Sequence, residues 1–296
     1  MAELTAHGDR RAPLELIAGT PQTVWGMPAV VNFTLGGLGA GFYVAAAIAA
    51  AGGAPGTMSV AAWLAPVLVL GGFLAVAGEA GRPLRGLRVL RRVATSWMSR
   101  ELWLGGAFAA LALVAEALPA HGLRGLAAAA AIALVLAQGA MLARARAVAA
   151  WNVPVMPLVF AASAAVSGVG LFALVELTAG RPAGPELLGV TLATLVSGLL
   201  VWLAFLRASV DAAFVRATAP LRRGATAVEL VVIGYAAPFA LLALALVFPQ
   251  WAAGPTALAA SLAIAGQFRA KSALILAAGQ RRPVTLATLT LPRRSA

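Results

Sequence analysis

Residues 79–103 read EAGRPLRGLRVLRRVATSWMSRELW, a polar, arginine-rich connection between two long apolar runs. Carboxylates stand near both of its ends, at Glu79 and Glu101. Thr95 or Ser96 can cap a helix that starts near residue 96, because a hydroxyl oxygen accepts one of the free backbone N–H groups. A helix that starts there places Glu101 one to two turns inside, at or just below the depth of the lipid head groups. Ionisable groups at that depth are candidates for function, so this connection indicates a site.

The composition of the chain predicts a polytopic membrane protein. Of its 296 residues, 61% are hydrophobic and 11% are charged. A soluble domain has about 45–50% apolar residues and about 25% charged residues. A soluble core cannot hold this excess of apolar side chains, so the chain is expected to lie in a membrane.

Eight runs are long and apolar enough to span a bilayer as helices, since a spanning helix needs about 20 such residues. They cover residues 25–51, 58–79, 101–119, 123–143, 154–178, 187–207, 226–248 and 252–272. We therefore predict an all-α bundle of eight transmembrane helices over residues 24–272. Residues 1–23 and 273–296 are predicted to be cytoplasmic tails, and the first of them either is disordered or docks on a partner.

The basic residues are divided unequally between the two sides of the predicted bundle. With the N-terminus on one side, 20 of the 22 Lys and Arg residues fall on that side, and Arg124 and Arg181 fall on the other. The positive-inside rule assigns the basic side to the cytoplasm. Both termini and residues 79–103 are therefore predicted to be cytoplasmic, in a multi-pass protein of the bacterial inner membrane.

The scarcity of ligating side chains excludes several cofactors from this chain. It has no cysteine, which excludes disulfides and Cys-ligated zinc or iron–sulfur clusters. Its two histidines, His7 and His121, lie in the leading tail and in a loop, and a membrane haem b needs two intramembrane imidazoles. No haem is expected, so any electrons that reach this chain must be carried by a quinone or by a partner's cofactor.

Glu101 and Glu79 are the candidate proton-transfer residues. A carboxylate near hydrocarbon can exchange a proton near neutral pH, which quinone reduction and quinol oxidation both require. Arg82, Arg100 and Lys271 are the cations that could pair with it. The alternative is that both acids lie at the interface and pair with arginines that bind lipid head groups.

Other residues near this connection each have a structural and a functional interpretation. Arg85, Arg88, Arg91 and Arg92 recur at helical spacing and make a basic face, which either binds anionic lipid or docks an acidic partner subunit. No nucleic-acid partner is expected. The glycines of residues 36–41 either allow close helix packing or leave room for a flat ligand. Trp151 and Asn152 open the fifth run, either as an interfacial anchor and helix start or as part of the docking surface.

Five segments carry a family resemblance. They are LGGLGAGFY at 35–43, GEAGRP at 78–83, TSWMSRE at 95–101, WNVPVMP at 151–157 and AGQFRAK at 265–271. In these segments the chain resembles the membrane anchor subunits of dimethyl sulfoxide reductase-type molybdoenzymes (the DmsC type) and, more distantly, the polysulfide reductase (NrfD-type) anchors. The resemblance spans nearly the whole chain, and TSWMSRE is its most specific part.

The resemblance implies a haem-free anchor that binds ubiquinone or menaquinone. Its partners would be a ferredoxin-like subunit with four [4Fe-4S] clusters and a molybdopterin catalytic subunit. Glu101 matches the family's quinol-site glutamate, whereas Glu79 stands where some members have a histidine and Gln267 where some have an acid. The candidate quinone-binding residues lie in these segments or beside them: Asn32, Gly36, Gly39, Arg82, Ser99, Arg100, Trp103 and Lys271.

The direction of electron flow follows from the resemblance together with the charge asymmetry. Family members with catalytic subunits outside the cell place the corresponding side of the bundle outward, whereas this chain's basic side points inward. Cytoplasmic partners fit the sulfite dehydrogenases with similar (SoeC-like) anchors, so quinone reduction coupled to sulfite oxidation is expected. The alternatives are a quinol-oxidising anchor of a dimethyl sulfoxide or polysulfide reductase and, from another class, a small-solute transporter.

Overall fold

The computed structural model describes residues 15–79, 87–118 and 121–285, which form an all-α bundle. The longer helices are α1 (Met27–Ala51), α2 (Met58–Glu79), α3 (Trp97–Ala117), α4 (His121–Ala143), α5 (Met156–Thr178) and α6 (Pro185–Leu206). They are followed by α7 (Ala212–Ala217), α8 (Ala219–Arg222), α9 (Gly224–Val231), α10 (Ala237–Val247) and α11 (Ala253–Ser272). Short 3-10 helices cover Pro55–Thr57, Leu87–Arg92 and Pro249–Trp251, and the strands are β1 (Glu15–Ile17) and β2 (Val284–Thr285). The prediction of an all-α helical bundle is confirmed.

Seven helices in the described part of the chain are long and apolar enough to cross a membrane. Six are α1 to α6, and the seventh is the continuous run Gly224–Val247, in which π-helical residues Val232–Ala236 join α9 to α10. The protein is therefore a multi-pass membrane protein. The eighth predicted span corresponds to α11, whose 20 residues are less apolar because Gln267, Arg269 and Lys271 lie near its end.

Helix α1 lies against α2, α4, α5 and α11, so it is the central helix of the bundle. Its closest neighbour is the backbone of α5. A Cβ atom on Gly41 would lie 2.0 Å from the carbonyl oxygen of Ala164, and one on Gly168 would lie 2.1 Å from the carbonyl carbon of Gly41. The close helix approach predicted from the glycine run is confirmed at Gly41.

Four of the predicted cytoplasmic segments meet at one end of the bundle. The Arg281 backbone N–H donates to the carbonyl of Thr20 at 2.8 Å, and that of Arg282 donates to Ala147 at 2.7 Å. Arg216 forms an ion pair of 2.6 Å with Glu15, and β1 pairs antiparallel with β2. We name this the basic end, and the described residues of both predicted tails are folded against it.

Loops of the predicted opposite side meet at the other end. The hydroxyl of Thr57 donates to Glu176, and Arg181 forms an ion pair of 2.5 Å with the same carboxylate. Ser59 donates to Glu116 in the same way. The division of loops between the two ends therefore agrees with the sequence analysis.

Asp211 links the start of α7 to Arg282 at the basic end, and its contribution to stability should depend on pH. Its carboxylate caps α7 by accepting from the Ala213 N–H at 3.0 Å and accepts from Arg282. Burial raises the pKa of Asp211, but the hydrogen bonds from Arg282 and Ala213 and the charges of Arg282 and Arg216 outweigh burial and hold the pKa below its ordinary value.

Replacement of Asp211 by Asn should therefore lower the stability by a modest amount that depends on pH. Because the folded-state pKa is depressed, the contribution is present above the ordinary pKa of 3.8 and is lost as the pH falls through the folded-state value. A loss of about 0.2–1 kcal/mol is expected at neutral pH, since the pair is partly exposed. Thermal unfolding in detergent across a range of pH should show a difference from the parent protein at pH 7 that shrinks as the pH is lowered below 3.8. A difference that does not change with pH would contradict the assignment.

Candidate functional site

Glu101 is buried where α1, α3 and α4 meet. Ser96 caps α3 by accepting from the Ser99 backbone N–H, as predicted, and Glu101 therefore lies in the second turn. Its carboxylate oxygen Oε1 accepts hydrogen bonds from Asn32 Nδ2 of α1 at 2.8 Å and from Gln138 Nε2 of α4 at 2.9 Å. Only 3% of the residue is exposed. We name Glu101, Asn32 and Gln138 the acid cluster.

The acid cluster has more acceptor atoms than donor groups. Within the described chain, the amide oxygens Oδ1 of Asn32 and Oε1 of Gln138 are buried without a hydrogen-bond partner. An unpaired buried acceptor costs about 1–3 kcal/mol. A proton on Glu101 adds an O–H donor beside the two unpaired amide oxygens, so the cluster suits a carboxyl that gains and loses a proton.

Lys271 forms a second buried polar group, on another side of α1. The residue is 4% exposed, and its Nζ donates to Ser163 Oγ of α5 at 2.7 Å. Lys271 borders a cavity of about 20 Å³, together with Gln267 and Tyr235, which is room for one water molecule. No carboxylate pairs with this ammonium in the described part of the chain. We name Lys271, Ser163, Gln267 and Tyr235 the lysine cluster.

Consecutive glycines of α1 separate the two clusters. A Cβ atom on Gly36 would lie 2.5 Å from Gln138 Nε2, and one on Gly37 would lie 3.4 Å from Lys271 Nζ. Lys271 is therefore not the direct ionic partner of Glu101 that the sequence analysis considered. Gly39 faces α2, where an added Cβ would lie 2.6 Å from the carbonyl oxygen of Ala65. Protein atoms lie against both Gly36 and Gly39, and their assignment to quinone binding stays a prediction.

An apolar groove runs between α3 and α4, beside the acid cluster. Its volume is about 630 Å³, and its walls include Trp97, Arg100, Trp103 and Ala137. Ala137 and Arg100 are the chain neighbours of Gln138 and Glu101, while the carboxylate of Glu101 points inward toward α1. We name this the α3–α4 groove.

Arg100 and Trp103 shape the groove through hydrogen bonds to the backbone. Arg100 Nε and Nη2 donate to the carbonyls of Val93 and Ala94 at 2.9 and 2.8 Å, and its guanidinium lies 4.3 Å from the ring centre of Trp97. Trp103 Nε1 donates to the Leu90 carbonyl at 3.0 Å. Arg100 thus binds the connection before α3 and not Glu101, so both cations with described side chains face away from that carboxylate.

A second groove continues the first toward the basic end. It has a volume of about 500 Å³ and shares Trp97, Ala140 and Pro157 with the α3–α4 groove. Asn152 lines it, and its Nδ2 donates to the Ala143 carbonyl at 2.6 Å. The predicted role of Asn152 in docking is compatible with this position at the mouth of a groove.

The prediction that Trp151 docks a partner or anchors the chain at the interface is wrong. Only 3% of the residue is exposed. Its ring stacks on Trp25 with centroids 5.2 Å apart, and its Nε1 donates to the Leu274 carbonyl at 2.9 Å. The tryptophan instead ties the start of α5 to the N-terminal segment and to the end of α11.

The remaining candidates are not brought together with Glu101. Glu79 is exposed at the end of α2, and its Oε1 would lie 3.5 Å from a Cβ atom on Gly26. Ser99 is fully buried. Of the predicted basic face, Arg91 and Arg92 are exposed. Arg82, Arg85 and the side chain of Arg88 lie outside the described residues.

Sequence reasoning missed several members of these groups. Gln138 stands out in the sequence as the main polar residue within an otherwise apolar run. The sequence does not show which side chain it contacts. Ser163 and Tyr235 carry no signal in the sequence, because single hydroxyls are common in membrane helices. Trp97 belongs to the TSWMSRE segment and could have been assigned to the site with Trp103.

Removal of the buried charge at Lys271 separates a structural role from a functional one. Lys271→Met keeps the length of the side chain and removes a desolvated ammonium, so the unfolding temperature should rise by about 2–4 °C for each kcal/mol gained. A gain in stability would show that the buried ammonium is retained for a reason other than stability. Arg269→Met on the same helix is the control, since it breaks a partly exposed ion pair of 2.8 Å with Glu229 and a long hydrogen bond to Thr226. A lower unfolding temperature for Lys271→Met would instead make the lysine a structural tie.

The functional assignment rests on the residues of this chain, because the comparisons with known proteins found no match. No protein-family model matches the chain, and no curated protein matches it significantly. The resemblance to anchor subunits therefore stands on the five sequence segments. Within the described residues, TSWMSRE supplies Glu101 and one wall of the α3–α4 groove, WNVPVMP supplies Asn152, and AGQFRAK supplies Lys271.

Proposed function

We propose that this chain is the haem-free, quinone-binding membrane anchor of an oxidoreductase whose partner subunits hold [4Fe-4S] clusters and molybdopterin. The observation that carries the proposal is Glu101, an acid buried within the bundle, hydrogen-bonded by two amides and adjacent to the α3–α4 groove. Ionisable groups within membrane helices are expensive and are functional candidates by default. The family resemblance at TSWMSRE supports the same residue.

The α3–α4 groove fits a quinone in size and character. Small-molecule sites have volumes of about 300–1,000 Å³ and mostly apolar walls with a few polar groups. The groove falls in this range at about 630 Å³, and it offers indole rings from Trp97 and Trp103 with one guanidinium from Arg100. Quinones are flat and apolar and carry carbonyl oxygens, so these walls can stack on the ring and donate to an oxygen.

The residues of the acid cluster would manage the protons of the reaction. A bound quinone supplies the two-electron chemistry and takes up or releases two protons. Glu101 would hold one of these protons at its carboxylate, while the amides of Asn32 and Gln138 orient the carboxylate. Arg100 would position the ring from the groove wall. Glu101 does not itself line the groove, so a proton would pass between α3 and α4 to reach its carboxylate.

Orientation and partners are part of the proposal. The chain would span the bacterial inner membrane eight times, with α11 as the eighth span and with the basic end and both termini in the cytoplasm. The exposed Arg91 and Arg92 would contact anionic lipid or the iron–sulfur subunit. Cytoplasmic partner subunits favour quinone reduction with electrons from sulfite oxidation. The alternative is a quinol-oxidising anchor of a dimethyl sulfoxide or polysulfide-type reductase.

The orientation can be tested by cysteine labelling, because the chain has no native cysteine. Val210→Cys lies at the basic end and is 97% exposed, and Ala179→Cys is exposed at the opposite end. A membrane-impermeant maleimide should label Ala179→Cys in intact cells and Val210→Cys only after permeabilisation. The reverse pattern would place the basic end outside and would remove the preference for sulfite.

A transporter is the second candidate, because specific features favour it. Transporters place charges and broken helices within the membrane. The bundle has the buried Lys271 and Glu101 and two π-helical segments, Val232–Ala236 and Ala273–Ala277. Purification distinguishes the two functions: an anchor should elute with an iron–sulfur and a molybdenum subunit, whereas a transporter should move a solute into proteoliposomes without other subunits.

A further inference from the structure

A large cavity opens at the end of the bundle opposite the basic end. It has a volume of about 620 Å³ and lies between α1, α4, α5 and α6. Small side chains line it, among them Gly41, Ala45, Ala131 and Ala165. Neither the acid cluster nor the lysine cluster contributes to it, so it is a separate site from the one proposed to bind quinone.

A cavity of this size needs an occupant from the membrane. Protein interiors are close-packed, and helices that leave a void lose dispersion contacts along its walls. Most of the walls are apolar, and exposed side chains such as Ile48, Ile132 and Val190 line them, so the cavity is open at its side to the membrane. At the depth of these helices, the molecules available in quantity are the chains of membrane lipids, which are flexible enough to fill an irregular cavity.

The charges at the mouth of the cavity select the head group. Glu186 lines the cavity in the first turn of α6, where its side chain is exposed and has no hydrogen-bond partner in the described part of the chain. Arg181 is held by Glu176 through Nε and Nη2, at 2.5 and 2.8 Å. Its Nη1 remains beside Gly56, where an added Cβ atom would lie 3.0 Å away. The free carboxylate of Glu186 thus lines the opening, and the remaining N–H groups of Arg181 lie beside it through the ion pair with Glu176, which also lines the cavity.

We infer that this cavity binds phosphatidylethanolamine, with an acyl chain between α1, α5 and α6, the phosphate near Arg181 and the ammonium near Glu186. The ion pair of Arg181 with Glu176 is neutral as a whole, so Glu186 leaves one net negative charge at the mouth. A zwitterionic head group can place its ammonium beside Glu186, whereas an anionic head group would be repelled by that carboxylate. The small ammonium group of phosphatidylethanolamine donates charged hydrogen bonds to a carboxylate, whereas a glycerol head group can donate only neutral ones. This inference does not depend on the proposed quinone site.

Cavity-filling substitutions test the acyl-chain part of the inference. Ala45→Phe on α1 and Ala165→Phe on α5 place a ring in the cavity, and Ala110→Phe on the exposed face of α3 is the matched control. Native mass spectrometry of the detergent-purified chain should show one retained phosphatidylethanolamine in the parent and in Ala110→Phe, and loss of that lipid in both cavity variants. Equal retention in all variants would overturn the inference, as would a retained quinone or no retained lipid in the parent.

Glu186→Gln tests the head group without a change in packing. In nanodiscs with equal phosphatidylethanolamine and phosphatidylglycerol, the parent should retain mainly phosphatidylethanolamine. The preference should fall about two- to fivefold in Glu186→Gln, the ratio expected for one partly exposed charge pair. Because Glu186 is exposed, the variant should fold even if the phenylalanine variants do not. An unchanged preference would exclude Glu186 as the ammonium partner and overturn the assignment of this lipid.

Discussion

Glu101→Gln should lower quinone-linked turnover by about 10²-fold or more while it leaves electron transfer from the partner subunits to a soluble dye unchanged. Glutamine keeps the shape of the side chain but cannot take up a proton, and general acid–base groups contribute about 10²- to 10⁴-fold to rates. The carboxylate accepts from Asn32 and Gln138, so the variant amide can still bond to both and the bundle should remain folded. The measurement is quinone reduction by the membrane-bound complex, with dye reduction as the parallel assay.

Glu116→Gln is the matched control for this experiment. It makes the same chemical change on the same helix, near the opposite end, where the carboxylate accepts from Ser59. Quinone turnover should stay within about twofold of the parent in this control, since a surface substitution changes stability by only about 0.5 kcal/mol. Full quinone turnover in Glu101→Gln would remove Glu101 from the mechanism and leave its burial as a matter of helix packing.

Gly168→Leu should destabilise the bundle more than any other single substitution considered. A Cβ atom there would lie 2.1 Å from the Gly41 carbonyl carbon and 2.4 Å from the Phe42 backbone nitrogen. Backbone atoms cannot rotate away as a flexible side chain does, so α1 and α5 must separate. Overpacking of a tight core costs about 1–3 kcal/mol and here should reach the upper end or exceed it. We expect little folded protein in detergent by size-exclusion chromatography and a large fall in unfolding temperature.

Gly106→Ala is the control for helical glycine. It lies in α3, and nothing lies within 4 Å of an added Cβ atom. Alanine in a helix is favoured over glycine by about 0.8–1 kcal/mol, so this variant should be equal to the parent in stability or slightly more stable. Similar losses in Gly106→Ala and Gly168→Leu would show that the contact between Gly41 and Gly168 does not determine the stability.

The sequence was sufficient to predict the elements of the fold that depend on local pattern. Runs of apolar residues predicted the helices, and Ser96 was among the residues expected to cap α3, as it does. The cap also set the position of Glu101 in the second turn of α3, whereas the burial of its side chain by α1 and α4 was not part of the prediction. The distribution of basic residues predicted which loops share an end, because charged residues cannot lie in hydrocarbon whatever the rotation of each helix.

The partners of each side chain could not be predicted in the same way. A helix that is apolar on every face has no polar stripe to show which side meets its neighbours. The sequence therefore did not show that Gln138 would meet Glu101, or that α1 would separate Lys271 from that acid. Trp151 failed for a related reason: a tryptophan at the start of a membrane helix fits the interface by type, but here Trp25 and the end of α11 cover it.

The strands at the basic end were also missed. Each has only two or three residues, and both lie in segments that were predicted to be tails. Their pairing depends on the bundle, which brings residues far apart in the chain to the same end. No local pattern of so few residues distinguishes a strand from a disordered terminus.

Photolabelling with an azido-quinone tests the central claim, that this chain binds quinone in the α3–α4 groove, most directly. The purified complex would be irradiated with the probe, and the labelled peptides of this chain identified by mass spectrometry. We predict labels within residues 93–104 and 133–140, which excess unmodified quinone prevents and which Ala137→Trp in the groove wall greatly reduces. Labels confined to other subunits, or labels on this chain that excess quinone leaves unchanged, would contradict the claim.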